Sequence, residues 1–236
     1  MGAKRVCYYQ VSDPNGVQWS VVMGSITRAL DAMNVDQQQA TKWSTKAAIL
    51  RHTNTDGFHG HGKDMYIFHS SSEPQKRYFL LRHEHVILEA DTTMMAVLEK
   101  SELYKHKLSC TVEGTALLLG DYSARVAQAT LLNGKFAGIV LEVEYLPVDD
   151  VLAAEPMLTA FCHTLHLGLA GLNGAAKETT DGLKGPDEGP TGPFGGTFVP
   201  IKHVYDTFGL SNQHTGKHST LQYLYLVSAL LQVCMS

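Results

Sequence analysis

Three groups of residues in this chain are of types and spacings that could do chemistry. The first is TDGFHGHGKDMYIFHS at positions 55–70, where Gly57, four residues and Gly62-Lys63 make up a phosphate-binding P-loop that lacks only its Ser or Thr. A working P-loop follows a strand and opens a helix, so that the helix N-terminus faces the phosphates. Here Lys63 runs straight into DMYIFHS, which is aromatic and strand-like, and Asp64 stands where a hydroxyl should reach magnesium. A carboxylate there would repel phosphate. The window reads as a Gly-rich loop leading into a strand from about Asp64, with no bound nucleotide.

The second group is the histidines of region 52–85. His59 and His61, then His83 and His85, repeat a spacing of two, which puts both rings on one side of an extended chain. His69 adds a fifth imidazole. A metal site would also need a nearby carboxylate or a third fixed ligand. The next glutamate after His61 is Glu73, beyond the strand. These histidines are therefore expected to be solvated loop and turn residues without a metal. The third group is Glu142-Val143-Glu144, whose carboxylates share one side of a strand. Inside a barrel they could hold a divalent metal for phosphohydrolysis. The strands RVCYYQV, MYIFHS and YFLLR contribute no further acid, so the expectation is a solvated face, with Ile139, Leu141, Val143 and Tyr145 turned to the core.

Nucleophilic catalysis has no support: there is no GxSxG, and Cys7, Cys110, Cys162 and Cys234 lie in apolar company without CxxC spacing. They read as buried free thiols of a reducing compartment. Lys105-His106-Lys107 reads as a solvated strand face. The 236 residues are 44% hydrophobic and 18% charged, with a net charge of −4, so no basic field argues for direct nucleic-acid binding. No apolar run is long enough to span a bilayer and the first residues carry no signal-peptide core, which predicts an intracellular, soluble protein.

The elements that must position these residues follow from pattern. KRVCYYQV (4–11) is β-prone; from Val17 to Met33 apolar residues recur at helical spacing. ATKWSTKAAILRHT, KDMYIFHS, KRYFLLR and HVILEAD read as strands, with His83-Glu84-His85 at a hairpin turn and Asp91 capping a helix through Leu98. YKHKLSCTVEG, TALLLGDYSARVAQATLL and KFAGIVLEVEYLP continue the β pattern, the last two joined by Asn133-Gly134, a hairpin signal. A helix follows over EPMLTAFCHTLHL, with Pro156 placed in its first turn. Residues 168–196 are crowded with Gly and Pro and are expected to be a mobile loop. The C-terminal HSTLQYLYLVSALLQVCM opens with Ser219 and Gln222 spaced as a capping box. It is apolar on nearly every side, so it must be buried in its own fold or against a partner. The order predicts a single α+β domain over 1–236, an antiparallel sheet that curls or closes, with flanking helices.

Several stretches that fail as catalytic motifs match a known family in order. GKDMYIFHSSSEP, YFLLRHEHVILEADT, EGTALLLGDYSARVAQATLLNGKFAGIVLEVEYLP and TLQYLYLVSALL resemble the subunit 20 family of the Mediator complex, the TRF-proximal proteins. Gly62-Lys63, Met65-Tyr66, Ala90-Asp91-Thr92 and Glu142-Val143-Glu144-Tyr145 occupy the family's marker positions. The resemblance implies an antiparallel β-barrel of about eight strands flanked by helices. It also implies a nuclear, non-catalytic coactivator subunit without cofactor. Its implied partners are the related barrel subunit 18 as a direct heterodimer, subunit 8 through its C-terminal tether, and the RNA polymerase II machinery indirectly, with no direct nucleic-acid or membrane contact. The competing readings are a tunnel-type, metal-dependent phosphohydrolase using Glu142 and Glu144, and a small-molecule-binding barrel with a large apolar pocket.

Overall fold

The computed structural model describes residues 2–9, 17–34, 39–53, 64–172, 197–199 and 202–235. Nine strands form one antiparallel sheet: β1 (Ala3–Tyr9), β2 (Thr41–His52), β3 (Asp64–Ser70), β4 (Lys76–Leu81), β5 (Val86–Asp91), β6 (Tyr104–Leu119), β7 (Tyr122–Leu131), β8 (Phe136–Tyr145) and β9 (Thr197–Phe198). Their order is β5-β4-β3-β2-β6-β7-β8-β1-β9. Among the described residues β5 and β9 do not pair, so the expected barrel is a curled, open sheet. The helices are α1 (Val17–Met33), α2 (Thr93–Ser101), α3 (Val151–Leu172), α4 (Lys202–Thr207) and α5 (Gly216–Met235).

Helix α5 explains the curl. It touches β1 and β8 on one side and β2, β3 and β4 on the other, so the sheet wraps around it. Leu221, Leu224, Leu226, Val227 and Leu230 are buried there, each contributing roughly 1.5–3 kcal/mol of apolar burial. A helix apolar on nearly all sides is what such a lining demands, and the chain buries it in its own fold. The outer face of β1, β7 and β8 is covered by α1 and α3. Strand β8 is thus buried on both faces, a situation usual for parallel sheets and rarer in antiparallel ones. A smaller outer cluster of Leu50, Met65, Ile67 and Phe79 lies under Met95 and Leu98 of α2.

Several local expectations shift. The break read at Glu113-Gly114 is absent: β6 runs unbroken through Gly114, and the turn falls at Gly120, whose φ of 59° suits glycine. A Cβ at Gly114 would meet the backbone of Val126 and Ala127, so this glycine permits close approach within the sheet. Helix α3 begins a turn earlier than read, because Asp150 accepts from the N–H groups of Leu152 and Ala153, both at 2.9 Å. Pro156 therefore lies in its second turn, and residues 168–172 continue the helix. Helix α5 also starts earlier: His218 Nδ1 accepts from the Thr215 N–H at 3.0 Å, filling the box role assigned to Ser219 and Gln222. Thr92 takes the cap position of α2 expected of Asp91, whose carboxylate, one residue before it, still accepts from the Thr93 N–H at 2.8 Å. The loop read for 173–196 lies outside the described residues.

Candidate functional site

Sheet register brings two acids and two bases to one spot. Lys4 of β1 faces Glu144, and Arg125 of β7 faces Glu142, and paired residues project to the same side. That side is the one filled by α5. Glu142 and Glu144 are only 2% and 5% exposed, which overturns the solvated strand face expected from sequence. Lys4 Nζ lies 3.5 Å from Glu142 and 3.4 Å from Glu144. Arg125 binds Glu142 through Nη1 and Glu144 through Nη2, the latter at 3.1 Å. Tyr223 of α5 donates its hydroxyl to Glu142 Oε2 at 2.8 Å, and the Gly2 N–H donates to Glu144 Oε1 at 2.9 Å.

Every carboxylate oxygen in this cluster is thus engaged. Burial alone would push the Glu142 carboxyl up, but Lys4, Arg125 and the Tyr223 hydroxyl outweigh it and hold the group at about 2. Burial and the adjacent Glu142 charge push the Tyr223 phenol well up, which keeps it a donor. Trp43 of β2 closes the cluster, 5.7 Å below the Arg125 guanidinium and 6.3 Å from the Tyr223 ring. A divalent cation at Glu142 and Glu144 would have to displace two bases already in place. Among the described residues no three His, Cys, Asp or Glu side chains converge as a metal would need. The residues do not fit the metal required for phosphohydrolysis.

The other sequence candidates disperse. Asp64 opens β3 as expected, whereas His59, His61 and Gly62-Lys63 lie outside the described residues. His83 and His85 sit exposed in the β4–β5 turn; His69 is half-buried, and burial with nearby Arg77 lowers its pKa. Lys105, His106 and Lys107 are exposed. Cys7, Cys110 and Cys162 are buried and form no disulfide, and burial pushes the Cys7 and Cys162 thiols up to about 12. They are inert as nucleophiles.

Sequence reading missed the groups that α5 and its approach contribute. His214 is buried, and burial together with Lys4 and His218 brings it down to about 3, so it is neutral. Gln222 accepts from the Val6 N–H at 2.8 Å and donates to the Lys4 carbonyl at 2.9 Å and to the Tyr205 hydroxyl at 2.8 Å. A side-chain amide thereby continues the β1 ladder. No local spacing signals it, because the partners come from opposite ends of the chain.

Apolar side chains are also exposed around β5 and α2. Phe79 pairs with Leu88, so Val86 and Leu88 project on the side of the sheet that α2 covers. Leu88 is 49% exposed and Val97 of α2 57% exposed, with Val86 and Met94 also open. Among the described residues β5 has no strand on its outer edge.

Mediator of RNA polymerase II transcription subunit 20b of Arabidopsis thaliana is 26% identical over 160 residues, 67% of this chain and 64% of that one, so the match spans just under two thirds of the relative's length. The Schizosaccharomyces pombe Mediator head module contains a chain 11% identical, with a TM-score of 0.39 over 69% of this chain and 92% of that one. The PH1012 protein of Pyrococcus horikoshii is 9% identical, with a TM-score of 0.39 over 70% of this chain and 90% of that one. The family model described as TATA-binding related factor (TRF) of subunit 20 of Mediator complex matches residues 1–224, nearly the whole length, and the chain belongs to that family.

Proposed function

We propose that the chain is a non-catalytic subunit of the Mediator coactivator, acting in the nucleus on RNA polymerase II transcription. It would pair with the related barrel subunit 18 in a submodule of the head, and subunit 8 would tether that submodule mainly through subunit 18. One observation carries the non-catalytic part: the acid pair that could have served phosphohydrolysis is consumed by Lys4, Arg125, Tyr223 and the Gly2 N–H. A catalytic acid needs an open coordination position or a reachable proton, and neither carboxylate keeps one.

The α2–β5 face supports the pairing. Its exposed Leu88 and Val97 lie beside an edge that no strand pairs among the described residues, and an apolar patch beside an unpaired edge is a surface suited to another chain. The test is purification of the tagged, full-length chain from nuclei of its own cells. Mediator subunits should be recovered, with subunit 18 retained through a high-salt wash; recovery of none would end the proposal. Divalent-metal-dependent phosphate release that disappears in Glu142→Ala would instead establish the phosphohydrolase.

A further inference from the structure

A cleft of about 640 Å³ opens between the β4–β5 turn, the start of β3 and the end of α4, away from the acid–base cluster. Its charged lining is two cations to one anion: Arg82 from the turn and Lys107 from β6, against Asp64 of β3. Lys107 is delivered by a break in the ladder. Ile49 pairs with Leu108 and Leu50 with His106, so Lys107 is the extra residue of a bulge and is re-aimed toward β3. It meets Asp64 at 3.1 Å, and Arg51 reaches the same carboxylate at 3.3 Å. One acid thus serves two bases. Arg82 is exposed and has no ion pair among the described residues; Glu84, on the same turn, does not line the cleft. The result is local positive charge on a chain whose net charge is −4.

The remaining wall is aromatic, formed by Tyr66, Phe208 and Tyr225. The turn is held against it by His85, which has a φ of 51° and sets its ring edge-on to Phe208 at 5.4 Å. A non-glycine residue in the left-handed region costs strain that surrounding contacts must hold. We propose that this cleft docks a short acidic peptide segment of another protein, one with aromatic or aliphatic side chains between its carboxylates. Arg82 and Lys107 would grip the carboxylates, Arg82 with its planar fork, while Phe208 and Tyr225 receive the apolar side chains. The opening is the size that accepts a few side chains rather than a whole domain. A nucleic-acid backbone fits less well, since Asp64 sits in the lining and a phosphate track needs a longer row of cations. This site is separate from the α2–β5 face, so it stands whether or not the chain pairs with a second barrel.

The experiment uses the full chain and a short fluorescent peptide in which Asp alternates with Phe and Leu. Two comparison peptides carry Asn for Asp, or Ala for Phe and Leu, and a short single-stranded RNA is the fourth probe. The acidic, aromatic peptide should bind, with both comparison peptides and the Arg82→Glu chain about tenfold weaker. NMR shifts on adding it to the wild-type chain should concentrate at residues 82–85, Lys107, Phe208 and Tyr225. That map needs no variant, so it stands even if Arg82→Glu fails to fold. Equal binding of the Asn peptide, tighter binding of the RNA, or shifts placed elsewhere would each overturn the proposal.

Discussion

The acid–base cluster allows one prediction to be worked through from its geometry, through Glu142→Gln. This change keeps the shape of the side chain and removes its charge. Lys4 and Arg125 are then left with Glu144 alone, inside a wall formed by Trp43 and Tyr223. Breaking one partner of a buried ion pair costs about 3–5 kcal/mol, because the charges left behind stay desolvated. The proton equilibrium gives an independent figure. Moving Glu142 from 4.5 to about 2 corresponds to roughly 3 kcal/mol of preference for the ionised form in the folded state.

The sign follows from that direction. The folded group holds its proton more weakly than the unfolded one, so its stabilisation is full above pH 4.5 and is lost as pH falls toward about 2. Urea unfolding of wild type and Glu142→Gln, across a pH series from neutral to strongly acid, tests both numbers. At neutral pH the variant should be less stable by about 3–5 kcal/mol, and the gap should narrow below pH 4.5. Subtracting the two curves removes the contribution of the carboxylates that do not touch this cluster. A gap that stays constant with pH, or one under about 1 kcal/mol at neutral pH, would refute the reasoning.

Three further outcomes are expected. Gln222→Leu leaves the Val6 N–H, the Lys4 carbonyl and the Tyr205 hydroxyl without their partner, and should cost about 2–4 kcal/mol in denaturant unfolding. His214→Phe should gain on wild type as pH falls. The buried ring stays neutral down to about 3, so the unfolded wild type takes up the proton first and is favoured by about 2 kcal/mol between pH 6.5 and roughly pH 5, measurable by thermal melts. Leu88→Asp with Val97→Asp changes exposed positions and should leave the isolated chain's stability within about 0.5 kcal/mol, yet abolish co-purification of subunit 18; retained co-purification would place the interface elsewhere.

The legible parts of the fold were those governed by local pattern. Helix α1 falls where helical spacing puts it, because Ile26 and Leu30 need nothing distant to share one face. The β3–β4–β5 hairpins follow from breakers, and His83-Glu84-His85 does form the turn. Gly114 misled because a glycine that lets two strands approach looks, locally, like one that turns the chain at Gly120. The cluster was half legible. Alternation showed that Glu142 and Glu144 share a side, yet which side is buried depends on α5, and on a strand covered on both faces the alternation of polar and apolar residues no longer marks the solvent. Lys4 and Arg125 reach the acids only through the pairing of β1, β7 and β8, which no spacing within any one strand encodes.

Why keep four charges in a core where well-packed apolar residues could match their stability? The first strand suggests an answer in register. Consecutive residues Lys4 and Arg5 point to opposite faces of β1, and each finds acid there: Lys4 meets Glu142 and Glu144 inside, while Arg5 pairs with Glu155 of α3 outside and sits 4.2 Å over the Phe198 ring. A slip of β1 by one residue would exchange the two faces. One base would then take the other's place, and the second acid site would face Val6 outside or Ala3 inside and lose its base. Apolar side chains at positions 4 and 5 would pack in either register with much smaller penalties. Charges facing both ways leave one acid site without its base in either slipped state, so the arrangement that resembles an active site helps fix the register of the strand that α5 and β9 are built against.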